Sequence, residues 1–296
     1  MVDQEGAEPR LIPNLFKFSA DGSFVAHMAS TETDTKFGAN SLIKVYSLPS
    51  MQLLDAKSVR ATGIANFEWS PADNTLAFWA IESGNQPARV ALLQLPSRTE
   101  LRQKNLFNVS DCHLQWHPNG HFLAVKVVRH TKSKKTLFNN LELFRVREDL
   151  VPVETLDMKN TVKALAWEPN DGTRFGLITE DGPKPSVLFY DMGPLPDSEA
   201  ANDQKANKLK VADKKPSEVT LLKTLPGRNC NFLYWSPAGG YCLLAGIPQP
   251  NVNDYTGNFE FYDVDALQDR GNQVILIGRE RKGICLEILC HSSLDP

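Results

Sequence analysis

The chain has little of what most enzymes, secreted modules and membrane proteins are built from. Its 296 residues hold five cysteines, Cys112, Cys230, Cys242, Cys285 and Cys290, with no CxxC pair, which argues against a disulfide framework or a zinc knuckle. Neither sign of charge dominates: Lys+Arg 32 against Asp+Glu 35 gives a net charge of -3, so any nucleic-acid contact has to be local. No continuous apolar run reaches the roughly 18 to 20 residues of a membrane span. The acidic start, MVDQEGAEPR, lacks the basic flank and apolar run of a secretory signal. The phosphate-loop, nucleophile-elbow and HExxH signatures are missing as well. These absences predict a cytoplasmic, non-enzymatic protein with no cofactor, no metal, no membrane contact and no small-molecule substrate.

What the sequence does have is a repeat. An apolar residue, a spacer, an aromatic and a tight polar turn recur as FKFSADG from Phe16, FEWSPADN from Phe67, LQWHPNG from Leu114, LAWEPNDG from Leu165 and LYWSPAGG from Leu233. The aromatic anchors are Phe18, Trp69, Trp116, Trp167 and Trp235. The first four are spaced by about 50 residues, within the range of propeller blades. The last interval is longer by the polar stretch Gly193 to Val219, whose composition predicts a disordered loop within a blade. Each phrase reads as a strand ending in a turn, because residues two apart share a strand face and the Pro/Asp/Asn/Gly cluster reverses the chain. An apolar run follows each copy, then an alternating run such as SLIKVYSLP or NLELFRVRE, then a weaker fourth strand.

This pattern predicts an all-β, WD40-like β-propeller of about five recognisable blades, each of four antiparallel strands, in an incomplete ring. Residues 1–15 are expected to form a tail, 16–268 the blades with the 193–219 insertion, and 269–296 a divergent C-terminal tail with no sixth anchor. A β-sandwich also uses short strands at regular spacing, but gives no reason for an aromatic and a turn to recur at one phase. The Trp-x-Pro pieces then explain fold, with Trp packing between blades and Pro fixing the turn.

Two clusters could carry chemistry. Cys112, His113, His117 and His121 are metal-ligand types within ten residues. Strand alternation sends Cys112 toward the core with Leu114 and Trp116, and His113 and His117 to the other face. The four therefore do not converge, and the histidines are expected at the surface or in turns. The connection KVVRHTKSKKTLFNN is basic, with Arg129, Lys132, Lys134 and Lys135 as candidate contacts to ribosomal RNA or an acidic protein face. A solvated hairpin tip is the competing reading.

The phrases between the anchors carry a resemblance. Pro87 to Arg129, Asn139 to Ile178 with FRVREDLVPV, and Thr224 to Gly246 are similar to the propeller of the B-subunit family of eukaryotic translation initiation factor 3. The likeness runs over roughly Phe16 to Val264. It implies a non-enzymatic scaffold that supports assembly of 43S and 48S preinitiation complexes. The implied partners are other subunits of initiation factor 3, the 40S ribosomal subunit and, indirectly, mRNA. In that family an RNA-recognition-type domain precedes the propeller and a helical tail follows it. No RNP-like motif precedes Phe16 and no such tail follows, so the contacts those flanks make are not carried over. The related propeller of initiation factor 2A, which acts with initiator tRNA, also resembles these blades, and a generic WD-repeat scaffold stays open. A propeller lid over a serine hydrolase would need the missing nucleophile elbow.

Overall fold

In each copy of the repeat the residue after the anchor closes a hairpin with its backbone N–H. Ser19 donates to the Phe24 carbonyl, Ser70 to Thr75, His117 to Phe122, Glu168 to Arg174 and Ser236 to Tyr241, all at 2.8–2.9 Å. A second set of bonds ties the end of each third strand back to that hairpin: Leu48 to Ser23, Leu95 to Asn74, Val146 to His121, Met192 to Thr173 and Val264 to Gly240. The repeat seen in the sequence is therefore also a repeat of hydrogen bonds. A turn glycine in the left-handed region, Gly22 at φ 69° or Gly120 at φ 66°, lets two of these turns close where a side chain would be strained.

The computed structural model describes residues 16–30, 41–54, 59–60, 63–83, 85–131, 136–180, 182–195, 218–247, 256–266 and 275–283. They fall into two units, Met1–Phe107 and Asn108–Pro296.

The first unit contains two sheets. One runs β1 (Phe16–Phe18), β2 (Phe24–Ser30), β3 (Ser41–Ser47), β4 (Gln52–Leu53), with β5 (Val59–Arg60) also paired to β3. Among the described residues its outer edge is two short pieces. The other runs β6 (Ile64–Trp69), β7 (Thr75–Ala80), β8 (Ala88–Gln94), β9 (Thr99–Leu106).

The second unit contains three sheets. These are β10 (Val109–Trp116), β11 (Phe122–His130), β12 (Leu137–Arg145), β13 (Val153–Met158); then β14 (Val162–Trp167), β15 (Arg174–Thr179), β16 (Ser186–Asp191), β17 (Thr220–Leu225); then β18 (Phe232–Trp235), β19 (Tyr241–Gly246), β20 (Thr256–Asp263), β21 (Ile275–Gly283). Neighbouring strands in every sheet are antiparallel and, β5 apart, consecutive in the chain, as the blade reading requires. The third, fourth and fifth sheets stack in series through two separate apolar clusters. A two-layer sandwich has one such interior, so that alternative falls.

Irregularities repeat too. The outer strand of the second, fourth and fifth sheets bulges at one register, opposite Leu92/Leu93, Phe189/Tyr190 and Phe261/Tyr262. A bulge adds local twist, and its recurrence at one phase marks these sheets as copies of one unit. The second strands β7 and β15 are buried along their whole length, as continuous apolar runs require.

The C-terminal segment departs from expectation. Residues 269–296 read as an unrelated tail, yet Ile275–Gly283 pairs along the length of β20 and supplies the fifth sheet's outer strand. An edge strand tolerates charged residues, so ILIGRERKG shows little of the apolar signal that marks inner strands. The expected N-terminal tail, and most of the expected loop at 193–219, lie outside the described residues.

Candidate functional site

The anchors do their work at the joints between sheets. The Trp69 indole N–H donates to the Lys17 carbonyl at 2.9 Å, Trp167 to Gln115 at 3.1 Å and Trp235 to Ala166 at 3.1 Å. In each case the acceptor is the residue just before the preceding sheet's anchor. Where that residue has a donor, it returns a bond to the carbonyl two places before the next anchor: Lys17 Nζ to Phe67 at 2.8 Å and Gln115 Nε2 to Leu165 at 3.0 Å. Ala166 has no donor to return. Lys17 also pairs with Glu68 at 2.5 Å. Packing of Trp between blades follows from the sequence; the reciprocal bonds do not.

A small residue on the second strand recurs at one register, and within each unit it opens the socket of a joint. Ala26, Ala77, Ala124 and Gly176 occupy one register in the first four sheets. Ala26 shares a buried cluster with Phe67, and Ala124 one with Leu165. At Gly176 there is no room even for a Cβ, which would lie 2.5 Å from Leu233 Cδ1.

Polar groups seal the same joints. His117 is fully buried. Its Nδ1 accepts the Asn119 N–H at 3.1 Å, which leaves Nε2–H to donate to the Glu168 and Gly172 carbonyls at 2.9 and 3.0 Å. Burial pushes its pKa below the ordinary histidine value, and neighbouring His121 adds to the shift. The expectation that His117 faces solvent with His113 is thus overturned. Alternation ends at the anchor, and the position after it, held also by Ser19, Ser70 and Glu168, turns inward in the hairpin. His113 is exposed. Among the described residues no group of His, Cys, Asp or Glu is placed to hold a metal ion.

Glu168, at the equivalent turn position, is the centre of the next joint. Arg174 grips it through Nε at 2.7 Å and Nη2 at 2.5 Å, and the Gly240 N–H of the fifth sheet donates to it at 2.9 Å. Arg174 reaches Asp265 as well, at 2.5 Å. Two further buried carboxylates share a third-strand register. Glu142 takes Arg129 at 3.0 Å and the Thr155 hydroxyl at 2.6 Å, and Glu260 takes the Tyr262 hydroxyl at 2.7 Å and Arg228 at 3.4 Å. The repeated phrases NLELF and NFEFY are the sequence signal for that pair, a glutamate flanked by apolar residues at one place in the third strand.

Arg129 is one of the candidate ribosome contacts, and its guanidinium faces a buried carboxylate. Lys132, Lys134 and Lys135 lie outside the described residues. Burial holds the Cys112 and Cys230 thiols up at about 12 and Cys242 higher still, so none of the three is a ready nucleophile.

These blades have known relatives. The family model described as "Eukaryotic translation initiation factor eIF2A" matches residues 104–274. The chain belongs to that translation initiation factor family. Among curated relatives, the B subunit of eukaryotic translation initiation factor 3 is 40% identical over 236 residues in Nicotiana tabacum, covering 79% of this chain and 30% of the relative. Its Xenopus laevis counterpart is 40% identical over 237 residues, 80% of this chain and 30% of its own length. The chain thus spans about a third of the length of the curated relatives it matches. A solved structure titled "Crystal structure of the eukaryotic initiation factor" aligns with a TM-score of 0.53 at 17% identity, over 92% of this chain and 67% of that one, a likeness of fold.

Proposed function

We propose that this chain is a non-enzymatic scaffold of the same type as the B subunit of initiation factor 3. Its blades present surfaces to other subunits of that factor and to the 40S ribosomal subunit in the cytoplasm, supporting 43S and 48S complex assembly. The observation that carries the reading is the 36–40% identity to B-subunit sequences over most of the chain. The geometry favours it as well. The groups best suited to catalysis, His117, Glu168, Arg174 and the three buried thiols, are occupied in joints or sealed in the core, which leaves the outer surfaces to act. The family-model match to factor 2A supports a second reading, in which the propeller serves initiator tRNA delivery instead.

In the first reading the basic connection of Lys132, Lys134 and Lys135 makes a modest, salt-sensitive contact with ribosomal RNA or an acidic ribosomal protein face, mRNA being approached only indirectly. Co-sedimentation of the purified chain with purified 40S subunits across a salt series tests it. Binding should weaken with salt and drop several-fold when the three lysines are replaced by glutamate. Equal pelleting of both forms at every salt concentration would remove the contact, and transfer of binding to initiator tRNA would favour the second reading.

A further inference from the structure

One second-strand position carries a charge where its equivalents are apolar. Two residues on from Ala26, Ala77, Ala124 and Gly176 stand Met28, Trp79, Lys126 and Ile178. Trp79 and Ile178 are buried, and Met28 packs against a buried cluster. The register row of Lys126 runs His113, Lys126, Leu141, and Leu141 shares a buried cluster with Val162 of the fourth sheet. Lys126 therefore enters the joint between the third and fourth sheets, half-buried, at a place the other sheets give to an apolar side chain.

Its surroundings do not pair it. Among the described residues the charged and titratable groups about it are His113 and Asp111 on β10 and Lys163 on β14, while β12 offers Leu141. Asp111 is engaged by His113, whose Nε2 lies 3.1 Å from its Oδ2, and Lys163 by Glu180, just beyond β15, at 2.6 Å. Lys126 itself forms no hydrogen bond or ion pair among the described residues. Burial pulls its pKa below the ordinary lysine value; the Asp111 carboxylate opposes that shift and the Lys163 ammonium adds to it. Loss of water around the ammonium and a second cation nearby are the two features that make a lysine nucleophilic. Lys159 and Lys184, both exposed, keep their hydration.

We propose that Lys126 is a site of covalent acylation, at which an activated acyl donor of the thioester class modifies the ε-amine in the joint between the third and fourth sheets. The neutral amine attacks the thioester carbonyl, the C–N bond forms as the C–S bond breaks, the thiolate leaves, and the proton lost from nitrogen passes to it or to water. The product is a neutral amide. It removes a half-buried cation from a place built for apolar side chains, so acylation tightens this joint. The site stands whether or not the chain binds the 40S subunit.

Treatment of the whole chain with limiting S-acetyl-N-acetylcysteamine, followed by peptide mass spectrometry, reads the acetylation rate at each lysine. Near neutral pH Lys126 should react several-fold faster than Lys159 and Lys184, and its rate should level off at a lower pH than theirs as the pH is raised. Lys163→Met should slow Lys126, because loss of the neighbouring cation favours the ammonium form, and leave Lys184 unchanged. Lys126→Met supplies the side chain that the first sheet has at Met28, and should raise the urea midpoint of the chain. A Lys126 rate equal to or below that of the exposed lysines overturns the proposal. So does a pH profile that coincides with theirs, or a Lys126 rate that Lys163→Met leaves unaltered. A lower urea midpoint in Lys126→Met would overturn it too, since the ammonium would then be well accommodated where it stands.

Discussion

At the scale of single residues, the indole N–H and the buried carboxylate are what convert a sequence repeat into a joint. Trp167→Phe keeps the ring that packs on Phe122 and Phe175 and removes the donor to Gln115. Urea unfolding should show a loss of about 1 kcal/mol, the worth of one such bond. Arg174→Met is more severe, since it leaves Glu168 charged and buried. A cost of about 3–5 kcal/mol is expected, and the double variant Arg174→Met/Glu168→Leu should recover part of it. If the double variant is no better than the single, the guanidinium contributes by packing rather than by neutralising Glu168. His117 gives the pH dependence its sign. Its folded pKa is depressed, so the neutral ring's contribution is whole above the unfolded value of about 6.5. That contribution is lost as pH falls below this value towards the folded one. Stability should therefore drop between pH 7 and pH 5 in the native chain, and the slope should flatten in His117→Gln, as read from unfolding midpoints at the two pH values.

At the scale of elements, the strands are legible in the sequence because each inner one carries an aromatic anchor and a turn in fixed order. The joints are not. Ala26, Ala77, Ala124 and Gly176 sit inside apolar runs where one small residue attracts no notice, and only the pairing register shows that they are one position. His117 escapes a period-two reading because alternation stops at the anchor and the next residue already belongs to the turn. Strand β21 has no anchor to announce it, since an outer strand has few buried neighbours to dictate its composition. The socket is testable. Gly176→Val should cost about 1–3 kcal/mol by overpacking, and Leu233→Ala in the same chain should restore part of that loss, whereas Leu233→Ala alone should be destabilising. Gly246 should behave differently. Its Cβ would run into the Asn229 backbone carbonyl, and no side-chain truncation can relieve a clash with backbone.

At the scale of the whole molecule, the described sheets are propeller blades in which His117, Glu168 and Arg174 are engaged in the joints, and the proposed scaffold role places its contacts on the outer surfaces. Family membership and the B-subunit relatives give those surfaces a setting in translation initiation. Loss of fold and loss of partner contact should then be separable. Gly176→Val should lower stability and binding together, whereas the triple lysine variant should lower 40S binding with the unfolding curve unmoved. The most direct measurement is affinity capture of the tagged chain from cell extract, with quantitative mass spectrometry against an unrelated tagged propeller of similar size. Selective enrichment of initiation factor 3 subunits and 40S ribosomal proteins is the expected result. A folded, β-rich chain that recovers neither above the control would contradict a scaffold role in initiation.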